Sequence, residues 1–267
     1  MKRISLFFMV ALATLCFSAC NKKAFPEPTI IHNAVTDLDG NSYDAVQIGN
    51  QVWMAENLRT KTIKTKENEI MHLQIDGEGF NMWDGTGAAY CYPDGRPENE
   101  EQYGLLYSEY FVFADETPLI ICPDGWHLPN SSEWETLKTT VAEMSGEKPN
   151  KIAAYLCGNV GWKKSSKANA GGNLNSPGRN FTGFSALPAD DNTYQSENSD
   201  SNFGKYAQFL CYTEWPEAPY PLNNFYAKEV VISYESSNVP VFDDSSNNLF
   251  EFGYNCGYKS VRCVRDE

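Results

Sequence analysis

Six cysteines beyond residue 20 are the side chains of this chain with the most distinctive chemistry. They stand at Cys91, Cys122, Cys157, Cys211, Cys256 and Cys263. Thiolates bind metal ions when they occur in close pairs or beside histidines, and thiols form disulfides in oxidising compartments. The nearest pair, Cys256 and Cys263, is separated by six residues, and the three histidines are scattered. This spacing predicts no metal site and no cofactor.

The first 19 residues indicate that the chain is exported. Lys2 and Arg3 precede an apolar run from Ile4 to Phe17, which is shorter than the ~20 residues that span a bilayer and typical of a cleaved signal peptide. In an exported protein an even number of cysteines predicts disulfides, although spacing alone does not choose the pairing.

Cys20 has a separate role in this prediction, because Phe17-Ser18-Ala19-Cys20 resembles the lipobox of bacterial lipoproteins. The resemblance implies that Cys20 becomes the first residue of the mature chain and is acylated, which anchors the protein to a membrane. Asn21 in place of Asp favours the outer membrane. An ordinary secretory cleavage with Cys20 incidental is the alternative. Residues 20–30, with two prolines, are expected to be a tether.

The charge of the chain excludes one class of partner. The formal charge is -14, and loss of Lys2 and Arg3 with the signal peptide makes it -16. So acidic a protein is not expected to bind nucleic acid. No later stretch is long and apolar enough to cross a membrane, and residues 31–267 are expected to form one domain.

Two β-hairpins are predicted between residues 36 and 54, because Asp39-Gly40 and Gly49-Asn50 are turn signals between short apolar alternations. The acidic stretch from Asp37 lacks the glycine and glutamate spacing of an EF-hand, so a tight turn is expected there instead of a calcium site.

A main helix is predicted after Pro129, because Ser132 and Glu135 have capping-box spacing and Gly146 is a stop signal. Its buried face is predicted to carry Trp134, Leu137, Val141 and Met144. A second short helix is expected over 151–156 and a long loop over 158–183. Further strands are expected at 184–187, 206–213, 225–234 and 258–264. Strands that flank a helical centre without strict alternation predict an α+β fold.

Four motifs occur in order along the chain. They are the stretch from Asp37 to Thr60, Tyr103-Gly-Leu-Leu-Tyr107, Cys122-Pro-Asp-Gly-Trp-His-Leu-Pro-Asn-Ser-Ser-Glu-Trp134, and the late pair Phe184-Ser-Ala-Leu-Pro188 and Ser260-Val-Arg-Cys-Val-Arg-Asp266. Together they resemble the Fibrobacter succinogenes major paralogous domain, a family of exported and often lipid-anchored bacterial proteins. The resemblance covers residues 36–266.

That family resembles in turn the C-type-lectin-like fold, which implies short twisted antiparallel sheets, a main and a second short helix, and many long loops. In such a fold the first and last strands share a sheet, which implies a disulfide between Cys122 and Cys263. Cys91, Cys157, Cys211 and Cys256 are then further candidate disulfide cysteines.

Neither activity associated with these folds is implied for this chain. Residues 125–134 are similar to a segment of the formylglycine-generating enzymes, but the Cys256 to Cys263 spacing departs from theirs. The Glu-Pro-Asn and Trp-Asn-Asp motifs of calcium-dependent lectins do not occur. His127 is expected to be a packing residue. Glu56 and three arginines could form a buried ion-pair cluster or line a pocket, and the cluster is favoured; the arginines are Arg59, Arg262 and Arg265.

These observations predict a non-enzymatic binding or adhesion protein of the cell envelope that recognises a glycan or a protein through long loops. The candidate binding-loop aromatics are Phe80, Trp83, Tyr92, Trp162 and Tyr194. A structural or assembly role without a small ligand is the alternative, and a carbohydrate-active enzyme that uses two carboxylates is a more remote one.

Overall fold

The computed structural model describes residues 24–65, 68–75, 89–108, 120–189, 202–214, 225–242 and 258–267. Its strands are β1 Thr29–Thr36, β2 Ser42–Ile48, β3 Gln51–Met54, β4 Thr62–Lys64, β5 Ile70–His72, β6 Gln74–Ile75, β7 Ala89–Cys91, β8 Leu106–Ser108, β9 Trp126–His127, β10 Tyr206–Glu214, β11 Phe225–Ser233, β12 Val241–Phe242, β13 Tyr258–Ser260 and β14 Val264–Arg265. Its α-helices are α1 Glu100–Tyr103, α2 Ser131–Ser145 and α3 Ala153–Leu156.

Within the described residues these strands form three sheets. The first has the order β1-β2-β3-β14-β9, the second β12-β11-β10-β13-β8-β7-β6, and the third pairs β4 with β5. The mixed α+β class is confirmed. The expected antiparallel pairing does not hold throughout, because β6 pairs with β7 and β10 with β13 in parallel. Most strands are short, as expected, although β10 and β11 are nine residues long.

The first sheet joins the two ends of the domain. The predicted hairpins are confirmed as β1 with β2 and β2 with β3. Val264 of β14 pairs with Trp53 of β3 on one side and with His127 of β9 on the other. The last strand therefore lies beside the early strands, as expected.

Both faces of the sheet are buried at β2 and β3, which is why these two strands carry apolar residues in succession. Successive side chains of a strand point to opposite faces. Val46 and Trp53 accordingly belong to one core cluster, and Tyr43 and Met54 belong to another. We call these the first and the second core cluster. The first sheet separates them.

The main helix is confirmed, but it begins two residues before the predicted capping box. Asn130 is the N-cap: its Oδ1 accepts the N–H of Glu133 at 3.0 Å, and Glu133 Oε2 accepts the N–H of Asn130 at 2.8 Å. Gly146 ends the helix in the left-handed conformation, with φ 60°. Met144 is 40% exposed, so its predicted place on the buried face is wrong; the other three predicted face residues are buried.

The region after α2 is irregular and is held together by one arginine. Arg179 donates to the carbonyl oxygens of Gly158, Gly171 and Asn173, which draws the predicted loop 158–183 into a compact block. The predicted strand 184–187 is only an isolated bridge between Cys157 and Ala186.

The predicted strand 258–264 is divided, because the chain passes from the second sheet to the first between β13 and β14. In this crossing, the carbonyl oxygens of Val261 and Cys263 accept the N–H groups of Leu58 and Met54. The backbone therefore remains bonded although it belongs to neither sheet.

The N-terminal segment is docked and does not behave as a free tether up to residue 30. The Phe25 ring lies 5.4 Å from that of Tyr155 and 5.1 Å from that of Phe181, and β1 already begins at Thr29. Phe25, which directly precedes the first of the two prolines, therefore occupies an apolar site on the domain. Among the described helices none has the length and apolar character needed to cross a bilayer.

Candidate binding cleft

A small cleft lies where three segments distant in sequence meet over the second core cluster. It is lined by residues from 36–38 at the end of β1, from 60–64 around β4, and from 120–124. Its volume of about 100 Å³ is below the ~300–1,000 Å³ typical of small-molecule sites. The cleft therefore has room for a single side-chain-sized group.

Two aliphatic side chains that line this cleft remain open to solvent. Leu38 is 46% exposed and Ile120 is 38% exposed. Beside them Lys64 Nζ pairs with Asp124 Oδ2 at 2.5 Å. Leu38 is presented by the turn from Asp37, whose carbonyl accepts the N–H of Gly40 at 3.2 Å. Exposed aliphatic groups next to an ion pair form a rim that can hold an apolar group of a ligand.

The two aspartates of this turn are engaged within the protein. Asp37 Oδ2 accepts the hydroxyl of Tyr43 at 2.6 Å, and Asp39 accepts the hydroxyls of Thr62 at 2.6 Å and Thr60 at 3.1 Å. Burial alone raises the pKa of Asp39, but these hydrogen bonds hold it below its ordinary value. The tight turn expected in place of a calcium loop is confirmed.

Lys61 stands in sequence between two cleft residues and is held outside the cleft. Its ammonium lies 5.5 Å from the ring centroid of Tyr92 and 5.8 Å from that of Tyr90, and 2.7 Å from Glu100 Oε1. Burial lowers the pKa of Lys61, but the hydrogen bond that its ammonium donates to the Glu100 carboxylate raises this pKa above its ordinary value. The candidate aromatic Tyr92 is thus half-buried beside a cation and does not line the cleft.

The other candidate aromatics do not contribute to this site. Trp162 is only 6% exposed, and its indole N–H donates to the carbonyl oxygen of Ala186 at 3.2 Å. Its prediction as a binding-loop residue is wrong, because it packs into the first core cluster. Phe80, Trp83 and Tyr194 lie outside the described residues.

The favoured disulfide is present. Cys122 and Cys263 are joined across 141 residues of sequence, with Cα atoms 5.9 Å apart, and Cys122 lines the cleft. Cys157 is a buried thiol without a disulfide, so its predicted pairing is wrong; burial raises its pKa to about 12. Cys91 in β7 and Cys211 in β10 keep their pairing as a prediction. Cys20 and Cys256 lie outside the described residues.

The predicted ion-pair cluster is wrong, because Arg262 is satisfied by neutral acceptors. Arg262 is 1% exposed. Its Nε donates to Asn57 Oδ1 at 3.1 Å and its Nη1 to the carbonyl oxygen of Met54 at 3.1 Å, and Nη1 also donates to that of Phe184. Burial lowers the pKa of Arg262 to about 9, and the charge of Glu56 opposes this only in part. Glu56 itself is exposed.

Arg59 and Arg265 do not join Arg262. The Arg59 guanidinium lies 4.7 Å from the ring centroid of Tyr43 and donates to the carbonyl oxygen of Ser42 at 3.2 Å. Arg265 is exposed. The arginine at 262 is therefore a fold-organising residue, and the described residues give these side chains no common pocket.

His127 connects the last residues of the chain to the start of α2. Its Nδ1 lies 2.6 Å from Asp266 Oδ1 and its Nε2 lies 2.8 Å from Glu133 Oε1. The hydrogen bond to Glu133 raises the pKa of His127, burial lowers it, and Asp266 raises it further, so the net direction is upward from 6.5. This partner set confirms a packing role and explains why Glu133 is well placed for the cap of α2.

We call the bonds of His127 to Asp266 and Glu133 the His127 clamp, and we expect it to make the stability of the fold depend on pH. Because the pKa of His127 is higher in the folded chain, its stabilising effect is full below the unfolded value of 6.5 and is lost as pH rises through the folded value. Urea denaturation of wild type and His127→Gln at several pH values between about 5.5 and about 9 checks this. The difference in unfolding free energy should shrink with increasing pH; a difference that grows would contradict the clamp.

A comparison with protein families assigns this chain to one of them. The model of the Fibrobacter succinogenes major domain matches residues 46–265. The chain belongs to the Fibrobacter succinogenes major domain family. The match to this family begins inside β2 and ends in β14, so it includes two of the three cleft segments and excludes residues 36–38. Comparison with curated proteins and with solved structures gave no match.

The sequence reasoning missed the cleft residues Leu38, Ile120, Lys64 and Asp124. The one local signal was the turn at Asp39-Gly40, which forces the preceding Leu38 outward. Ile120 and Lys64 lie outside the four motifs, and Asp124 lies in the third motif without a local sign of this role; only the fold brings these residues together.

Proposed function

We propose that this protein is a lipid-anchored, non-enzymatic binding or adhesion module of the bacterial cell envelope, attached through Cys20 to the outer membrane. The export signal and the lipobox support the attachment. The family is one of exported and often lipid-anchored proteins, which agrees with it. The cleft at Leu38 and Ile120 is the observation that carries the binding role.

The cleft supports binding because its apolar rim is fixed before a ligand arrives. Cys122 on the cleft wall is covalently tied to Cys263 beside β14, and the Leu38 turn is fixed by the bonds of Asp37. Such preorganisation reduces the entropy that binding must offset. A cleft of about 100 Å³ suits one apolar group, such as an aliphatic side chain of a protein or the acetyl group of an amino sugar.

We further propose that the fold is C-type-lectin-like. The sheet shared by β3 and β14 and the long irregular block 158–183 support this architecture. Sugar binding does not follow from it, because the calcium-dependent motifs are missing from the sequence.

Placing charge in the cleft should weaken recognition. In Leu38→Asp/Ile120→Asp, two carboxylates meet the apolar group of the ligand, and we expect binding at least about tenfold weaker. The measurements are a glycan array with and without calcium chelator, and adhesion of beads coated with the mature chain to bacterial cells.

Ile30→Asp is the matched control, since Ile30 is 46% exposed like Leu38 and lies outside the cleft. Equal binding of the cleft variant and the wild type would refute the cleft as the site. No binding in either assay would favour the structural or assembly role, and turnover of an arrayed glycan would favour an enzyme.

A further inference from the structure

The charge of this acidic chain is unevenly distributed. Residues 148–189 hold six basic residues and no Asp or Glu, in a chain with 35 acidic residues. The basic residues are Lys148, Lys151, Lys163, Lys164, Lys167 and Arg179. One contiguous part of the domain is therefore positive against a negative remainder.

The segment that leads to Cys20 docks on this same part. The Phe25 ring packs on Tyr155 and Phe181, and a Cβ at Gly178 would lie 2.5 Å from the Cδ2 of Phe25. A Cβ at Gly183 would meet the Cβ of Pro28 at 2.9 Å. Both glycines thus leave room for the N-terminal segment, which indicates a fitted contact.

The lysines of this part face solvent, and Lys151 lies close to the docked segment. Lys148, Lys151, Lys163, Lys164 and Lys167 are all exposed. Asn169 links Lys151 to Tyr155, on which Phe25 packs. Its Nδ2 donates to the carbonyl oxygen of Lys151 at 3.2 Å and to the hydroxyl of Tyr155 at 3.3 Å. Val160, 51% exposed, and Leu174, 39% exposed, lie in the same block.

Few acidic groups neutralise this surface. Lys167 Nζ lies 3.5 Å from Glu235 Oε2, and Glu147 lies near Tyr155. Within the described part of the chain, Lys148, Lys151 and Lys164 form no ion pair with a carboxylate. Counted over the described residues alone, this surface keeps a net positive charge.

We propose that this surface, formed by residues 148–180 with Phe25 docked on it, lies against the lipid bilayer and that its lysines contact the phosphates of anionic headgroups. We call it the anchor face. The inference rests on the proposed acylation of Cys20. Five residues from Cys20 to Phe25 reach at most ~18 Å, so the docked site stays near the membrane. An anionic membrane attracts the lysines and repels the acidic remainder.

This orientation gives the cleft its direction. Phe25 packs against the first core cluster, whereas Ile63 and Ile121 of the cleft belong to the second. The first sheet separates the two clusters. The cleft therefore opens away from the membrane, where a ligand can reach it.

Lysine reactivity tests the anchor face directly. The acylated protein is reconstituted into vesicles of phosphatidylethanolamine and phosphatidylglycerol, labelled with a water-soluble amine reagent and analysed by mass spectrometry, with detergent micelles as reference. Labelling of Lys151, Lys163 and Lys164 should fall at least about threefold in vesicles, while labelling of Lys61 and Lys64 should not change. Uniform labelling, or protection of Lys61 and Lys64 instead, would overturn the proposal.

A charge variant separates electrostatic contact from mere proximity. Lys163→Gln/Lys164→Gln, or vesicles of phosphatidylcholine alone, should restore labelling of Lys151, and Lys61→Gln should not. Incorporation of radiolabelled palmitate into wild type but not into Cys20→Ser tests the anchor separately. Palmitate without lysine protection would overturn only the orientation; no palmitate would overturn the anchor and the orientation together.

Discussion

Replacing Arg262 with alanine will lower the free energy of unfolding by about 3–5 kcal/mol. The substitution leaves three buried acceptors without a donor: Asn57 Oδ1 and the carbonyl oxygens of Met54 and Phe184. Each orphaned acceptor costs about 1–3 kcal/mol, and the empty volume between the rings of Phe184 and Phe209 adds to the loss. Removal of the buried charge of Arg262 offsets part of this loss of stability. Urea denaturation of the purified mature chain measures the change.

Arg265→Ala is the control, because Arg265 is exposed and lies three residues away; its effect should remain within about 0.5 kcal/mol. Arg262→Met fills the volume without donors, so it should lie between the two. If Arg262→Ala cost less than about 1 kcal/mol, the neutral acceptors would not depend on the guanidinium.

Loss of the Cys122 to Cys263 disulfide should cost about 4–5 kcal/mol, because it closes a loop of 141 residues and thereby restricts the unfolded chain. Cys122→Ala/Cys263→Ala is the variant, and the midpoint of urea denaturation is the measurement. The same shift is expected for wild type under reducing conditions.

Cys157→Ala is the matched control for this pair. It removes a buried sulfur that carries no disulfide, so we expect a packing loss of only about 1 kcal/mol. The difference in unfolding free energy between Cys157→Ala and the wild type should be the same under oxidising and reducing conditions. Identical midpoints for oxidised and reduced wild type would contradict a stabilising bridge.

The hairpins and the main helix could be predicted because their signals are local. Turn residues at Asp39-Gly40 and Gly49-Asn50 mark the hairpins, and Gly146 ends the helix where expected. The helix start was misplaced because two residue pairs have the same capping spacing. Asn130 directly follows Pro129 and has an extended backbone, with φ -85° and ψ 170°. It therefore caps the helix ahead of Ser132.

Burial of single polar and aromatic residues could not be predicted in the same way. Arg262 is satisfied by Asn57, 205 residues earlier in sequence, and no local pattern records that contact. Trp162 stands in a Gly- and Ser-rich stretch that is typical of a surface loop, yet Arg179 draws this stretch onto the core. Phe25 stands directly before Pro26 in a polar segment, and only its contacts with Tyr155 and Phe181 show why it is apolar.

The candidate cleft could not be predicted from the sequence, for a related reason. Its walls come from residues near 37, 62 and 122, and each segment has an ordinary composition. The disulfide that fixes one wall could be inferred only through the resemblance to a family, because six cysteines allow many pairings.

Residues 262–264 combine a buried guanidinium, a disulfide and the start of β14 in the first sheet. Among the described elements, only β14 extends beyond them. A chain emerging from the ribosome cannot complete its core until these residues have appeared. We therefore expect the domain to stay incompletely folded until synthesis reaches these residues. If the chain is exported as we propose, this late closure would keep it in the unfolded form that a secretion channel can thread.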